Sequence, residues 1–184
     1  MKNVRIRTLV ECSVMLAVGT VLSFIKIYQL PFGGTITLCS MVPILYISFH
    51  HNLKWVLVTS LAYGLLQMLF SFYAPPTGSI IAFIAVILLD YIVAFGVLGL
   101  AGTFGKIFDG TKGLLFGTSI AIFGRFLCHF MSGILIWGVY APEGQSVFIY
   151  SLIYNGSYML GEYIISLIAL IAVSKIPLGR RHES

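Results

Sequence analysis

The sequence predicts an all-α polytopic integral membrane protein, a bundle of six transmembrane helices with both termini cytoplasmic. Three observations predict it. Apolar residues fill 59% of the 184 positions and charged residues only 9%, against roughly 25% charged in an average soluble domain. The mean hydropathy is +1.00, and a soluble domain of this size keeps about a third of its chain surface wet. Finally, the apolar residues fall into runs long enough to cross hydrocarbon, and the cations collect in alternate turns between them. Together these exclude a soluble globular protein, a disordered chain and a nucleic-acid-binding domain. Spans of about 20 residues each use most of the chain, which leaves no room for a soluble ATPase, kinase or hydrolase domain.

The runs follow in order. Thr8 to Tyr28 is the first, preceded by Lys2, Arg5 and Arg7 and followed by no small-x-small cleavage site, so it reads as a retained helix. Residues 29–34, Gln-Leu-Pro-Phe-Gly-Gly, break it. The second run, Ile36 to Phe49, is short and holds Pro43; a polar turn at 50–54 follows. Trp55 to Phe72 is the third, closed by the Pro-Pro and Gly of residues 73–78. Ile80 to Phe104 is the fourth, Gly113 to Tyr140 the fifth, and Val147 to Val173 the sixth. No fixed-period repeat occurs, so residues 1–184 read as one membrane domain.

Charge sets the orientation. Six spans put the termini and the second and fourth turns on one side. That side carries Lys2, Arg5, Arg7, Lys54, Lys106, Lys112, Lys175, Arg180 and Arg181, nine cations, and the other side has only Lys26 nearby. Such an excess marks the cytoplasmic face. The three cysteines, Cys12, Cys39 and Cys128, lie apart in apolar stretches and spell neither a disulfide framework nor a zinc site.

Ionisable groups cost several kcal/mol in hydrocarbon, so each one inside a span is a candidate for function. They are Glu11, Asp90, Arg125, His129 and Glu162. Counted from the outer helix ends, Asp90, His129 and Asn155 all lie roughly 12–17 Å deep at 1.5 Å per residue. Trp137, at i+8 from His129, shares its face if the helix continues. Tyr150 stands nearer the surface on the helix of Asn155. A carboxylate, an imidazole, an amide, a phenol and an indole at matched depth suit a small, flat, nitrogen-rich ligand. Each also has a plainer reading. Trp137 and Tyr150 suit an interfacial aromatic belt. His129 and Asn155 suit helix–helix hydrogen bonds, and Asp90 suits a pair with Arg125. Arg125 and Glu162 read as a buried ion pair at the pocket floor, and Glu11 as an i,i+4 partner of Arg7. Ser13 and Ala17 make a small-xxx-small face on the first helix, which could pack inside the bundle or against a partner protein. The glycines 96, 99, 102 and 105 read as internal packing. No P-loop, His-Glu-x-x-His or Gly-x-Ser-x-Gly motif occurs.

Residues 89–95 (Leu-Asp-Tyr-Ile-Val-Ala-Phe), 128–133 (Cys-His-Phe-Met-Ser-Gly), 137–141 and 150–156 (Tyr-Ser-Leu-Ile-Tyr-Asn-Gly) resemble the thiamine-specific S-components of energy-coupling factor transporters. The resemblance implies a non-enzymatic prokaryotic plasma-membrane subunit, with no cofactor, that captures thiamine from outside. It implies as partners a transmembrane coupling subunit and two ATPase subunits. Carried over by position, Asp90, Tyr91, His129, Trp137, Tyr150 and Asn155 become ligand contacts, and Ser13 and Ala17 the face toward the coupling subunit. Two positions depart from the pattern. Asp90 stands where family members can carry Glu, and the first outer loop reads Phe32-Gly33-Gly34 where they can carry Trp, which leaves Phe32 to supply any aromatic lid. The competing readings are a carrier for another heterocyclic vitamin such as riboflavin or biotin, a small intramembrane enzyme using Asp90 and His129 as acid and base, and a structural bundle subunit.

Overall fold

The computed structural model describes residues 2–175. Arg180 and Arg181, two of the cations counted for orientation, lie outside them. The chain forms α1 (Lys2–Ser23), a hairpin of β1 (Lys26–Gln29) and β2 (Thr35–Thr37), α2 (Val42–His50) and α3 (Leu53–Ser71). The fourth rod follows as α4 (Ile80–Val86), a π-helical segment (Ile87–Val93) and α5 (Ala94–Leu98), then α6 (Ala101–Gly105), α7 (Gly110–Leu135) and α8 (Val147–Ser174). Among the described residues, five helices are long and apolar enough to cross a membrane: 4–23, 53–71, 80–98, 110–135 and 147–174.

Three of the expected runs are cut differently. The first stops at Ser23, and Lys26–Gln29 pair as an antiparallel strand with Thr35–Thr37. β-Branched and aromatic residues favour that pairing. Its turn places Phe32 at φ 64 and Gly33 at φ 103, and the Leu30 N–H closes it on the Gly34 carbonyl at 2.7 Å. The second run yields only the nine-residue α2, about 13 Å long at 1.5 Å per residue and shorter than a full span. Pro43 fits its first turn, where a missing N–H costs nothing. The fourth run is not one α-helix. It widens into the π segment and breaks again at Gly99–Leu100, between α5 and α6.

The short α2 sits deepest: Ile44, Leu45 and Ile47 are fully buried. It packs on α1, α3, α6 and α8. Glycines allow the closest approaches, as the sequence predicts. A Cβ on Gly102 would run into the Ser48 carbonyl of α2, and one on Gly117 into the Ala101 carbonyl. Outward-facing Leu, Ile, Val and Phe cover the long helices, the surface expected of a chain solvated by lipid. Ser13 and Ala17 point outward with them, so internal packing does not explain that face.

Candidate functional site

A cavity of about 150 Å³ opens at the end of the bundle that carries the hairpin. The fourth rod, α3, α7, α8 and the hairpin wall it. All six ligand contacts expected from the sequence line it: Asp90, Tyr91, His129, Trp137, Tyr150 and Asn155.

Asp90 is the hub. It projects from the π segment, whose widened turn re-aims side chains and recurs at functional positions. Its Oδ1 lies 3.0 Å from His129 Nδ1. Its Oδ2 accepts from the Ser132 hydroxyl at 2.6 Å and from Trp137 Nε1 at 3.3 Å. The indole N–H also reaches Ser132 Oγ at 3.2 Å. A carboxylate with this many donors is held in one orientation, and hydrogen bonds to an ionised acceptor are the strong ones. Trp137 gets there by another route than the one expected. α7 ends at Leu135, Ile136 leaves helical geometry (φ −124, ψ −48), and Trp137 opens a short 3₁₀ turn to Tyr140. The turn, not a continued helix face, swings the indole over Asp90.

Arg125 and Glu162 both line the cavity but do not form the expected ion pair. Arg125 Nε donates to His129 Nε2 at 3.3 Å, and its guanidinium lies 3.9 Å over the Phe95 ring. Nor does it pair with Asp90, whose partner is His129. Glu162 Oε1 instead accepts from the Thr37 N–H at 2.5 Å and the Thr37 hydroxyl at 2.6 Å, tying α8 to β2. Glu11 does pair with Arg7, at 2.7 Å, and also meets His51 at 3.0 Å.

Two expected contacts have their polar atoms engaged within the protein. Asn155 Nδ2 donates to the Ser151 carbonyl at 3.0 Å, and its Oδ1 accepts from the Tyr158 hydroxyl at 3.1 Å. The Tyr91 hydroxyl donates to the Ser71 carbonyl at 2.9 Å and accepts from the Tyr73 N–H at 3.2 Å. Both line the cavity wall, as do Asp90, His129 and Trp137, whose polar atoms have internal partners as well. Above them lies an aromatic cover. Phe32 stacks on Tyr140 at 3.9 Å, and Tyr140 lies parallel to Trp137 at 6.3 Å. The Tyr154 hydroxyl accepts from the Gly34 N–H at 2.9 Å and donates to the Pro31 carbonyl, which pins the hairpin down.

Sequence reasoning missed Ser132, Tyr154, Tyr158 and Thr37. Ser132 follows His129 by three, and Tyr150, Tyr154 and Tyr158 repeat every four residues, so helical spacing carried a signal for those. Thr37 carried none, because its role depends on a hairpin buried in a run that reads as helix. Among the described residues no group of three or more His, Cys, Asp or Glu could hold a metal ion.

The comparisons with known proteins identify the family. The family model described as "Thiamine transporter protein" matches residues 9–178. The chain is 35% identical over 175 residues to the thiamine transporter ThiT of Bacillus subtilis, covering 88% of this chain and 87% of that one. It is 34% identical over 93 residues to ThiT of Lacticaseibacillus paracasei, covering 45% and 46% respectively. A solved structure of ThiT from Listeria monocytogenes superposes with a TM-score of 0.77 at 25% identity, covering 93% of this chain and 94% of that one. The relatives are named as transporters and not as enzymes. A multi-pass membrane chain with this match along nearly its whole length belongs to the thiamine transporter protein family.

Proposed function

We propose that this protein captures thiamine at the hairpin end of the bundle and delivers it inward as the S-component of an energy-coupling factor transporter. One observation carries the reading: an oriented carboxylate, Asp90, faces a cavity roofed by aromatic rings in a membrane protein of the thiamine transporter family. Thiamine joins a flat aminopyrimidine to a permanently cationic thiazolium. Asp90 supplies an acceptor for the exocyclic amine and a negative charge for the cation, and only 14% of its side chain is exposed, which limits screening by water. The rings of Trp137, His129 and Tyr150 supply flat faces. The cation-poor hairpin end is the outer side and both termini are cytoplasmic, following the distribution of Lys and Arg.

The test is calorimetry with thiamine on the purified protein. Asp90→Asn is expected to weaken binding more than tenfold, since a hydrogen bond to a charged group is worth about 1.5–3 kcal/mol. Unchanged affinity removes Asp90 from the site. Coupling is tested separately. The outward face of Ser13 and Ala17 allows a partner helix to approach closely. Ala17→Trp is expected to leave thiamine binding intact and abolish both co-purification with the coupling module and uptake by cells. Retained uptake counts against that face.

A further inference from the structure

Arg125 lies one turn before His129 on α7 and lines the same cavity, yet the ligand contacts proposed above make no use of it. Its Nε–H points at His129 Nε2, 3.3 Å away. A guanidinium offers donors only and keeps its charge at any working pH. The nitrogen that receives that N–H must present a lone pair. The single proton of a neutral imidazole is then on Nδ1, the atom 3.0 Å from Asp90 Oδ1. The stack of Arg125 on Phe95 at 3.9 Å holds the guanidinium in that position. An imidazolium in the same place would turn a second N–H against the guanidinium and cancel the charge of Asp90.

We infer that Arg125 is a positioning residue for the site, fixing His129 as the neutral Nδ1–H tautomer so that Asp90 is oriented without being neutralised. The benefit to a cationic ligand rests on the thiamine reading; the tautomer does not. Charged and titratable groups that share the cavity with His129 come from several elements, with Lys26 on the hairpin, Tyr73 after α3, and Tyr150 and Tyr154 on α8 nearer its mouth. Asp90 and Tyr91 project from the π segment, Arg125 from α7 itself, Tyr63 from α3, and Tyr158 and Glu162 from α8, with the Tyr158 ring 6.2 Å from the imidazole.

The tautomer is read on the full-length, ligand-free protein in detergent micelles. The histidines carry nitrogen-15, long-range proton–nitrogen correlation is the readout, and His129→Gln assigns the signals. The expected spectrum shows Nδ1 protonated and Nε2 bare at pH 7 and at pH 6. An Nε2–H tautomer or an imidazolium at pH 7 overturns the inference. Thiamine affinity is then compared between the wild type and Arg125→Met at pH 8 and pH 6. Without the guanidinium, His129 Nε2 no longer faces the Arg125 N–H that demands its lone pair. The affinity ratio of wild type to variant is expected to widen by up to about fourfold over that range, the change in competing protonation of an imidazole with the ordinary pKa of about 6.5. Taking the ratio at each pH cancels what the ligand and the other titrating groups contribute, and a constant ratio overturns the inference. The wild-type spectrum decides alone if Arg125→Met fails to fold. Wild-type protein that shows the expected tautomer but binds no thiamine sinks the substrate assignment and leaves the role of Arg125 standing.

Discussion

Thr37 shows how much one side chain decides here. Its hydroxyl and N–H both serve Glu162 Oε1, and the hydroxyl also meets Ser40 Oγ at 2.6 Å. Glu162 is 5% exposed, so it has no water to fall back on. Thr37→Val keeps the shape and the N–H but removes the hydroxyl. We expect a loss of about 1–3 kcal/mol, the cost of leaving a buried acceptor short of a partner, read as a Tm several degrees lower for the ligand-free protein in detergent. An unchanged Tm shows that the N–H alone holds Glu162. At this scale the sequence revealed which ionisable groups matter but not how they pair. Depth along a helix is legible from residue counts, and it brought Asp90 and His129 together. Azimuth is not, so Arg125 and Glu162, at matched depth, read as partners although each turns to a different neighbour.

At the scale of elements, Gly102 of α6 and Gly156 of α8 have opposite tasks. Gly102 lies against the backbone of Ser48 and Phe49, and backbone cannot rotate out of the way. Gly102→Ala forces α6 from α2, and overpacking of this kind costs about 1–3 kcal/mol or more. Gly156 sits inside α8 with nothing within 4 Å of a would-be Cβ. Gly156→Ala is expected to be neutral or to stabilise by about 0.5–1 kcal/mol through helix propensity. Thermal melts of the two variants should therefore move apart, and a similar fall in both would refute this account of α2–α6 packing. The six apolar runs were visible in composition, and α3 and α8 follow them closely, while α7 stops at Leu135, short of the run's end. The hairpin and the π segment were not visible. A hairpin strand of three or four residues leaves too short a pattern for its period to show, and a π segment keeps the apolar character of the helix it interrupts.

The whole molecule is organised by charge and by lipid. In the proposed orientation, with the cation-rich turns inward, residue 77 would face outside and residue 109 the cytoplasm. In a variant whose three native cysteines are replaced, Thr77→Cys is expected to react with a membrane-impermeant maleimide on intact cells. Asp109→Cys is expected to react only after permeabilisation, and the reverse pattern would invert the proposed orientation. Fold class was legible at this scale because a chain with 9% charged residues has few alternatives. The length of α2 was not, because burial inside the bundle and exposure to lipid select the same apolar residues.

The stack of Phe32, Tyr140 and Trp137 has one more consequence. The chain holds two tryptophans, and Trp55, at the start of α3, lies among none of the cavity residues. Trp137 touches the carboxylate hub on one side and, through Tyr140, the hairpin tip on the other. Its emission is therefore an internal gauge of whether the roof is shut. Once Trp55 is silenced as Phe, light from a single indole would register any displacement of that stack without any attached dye.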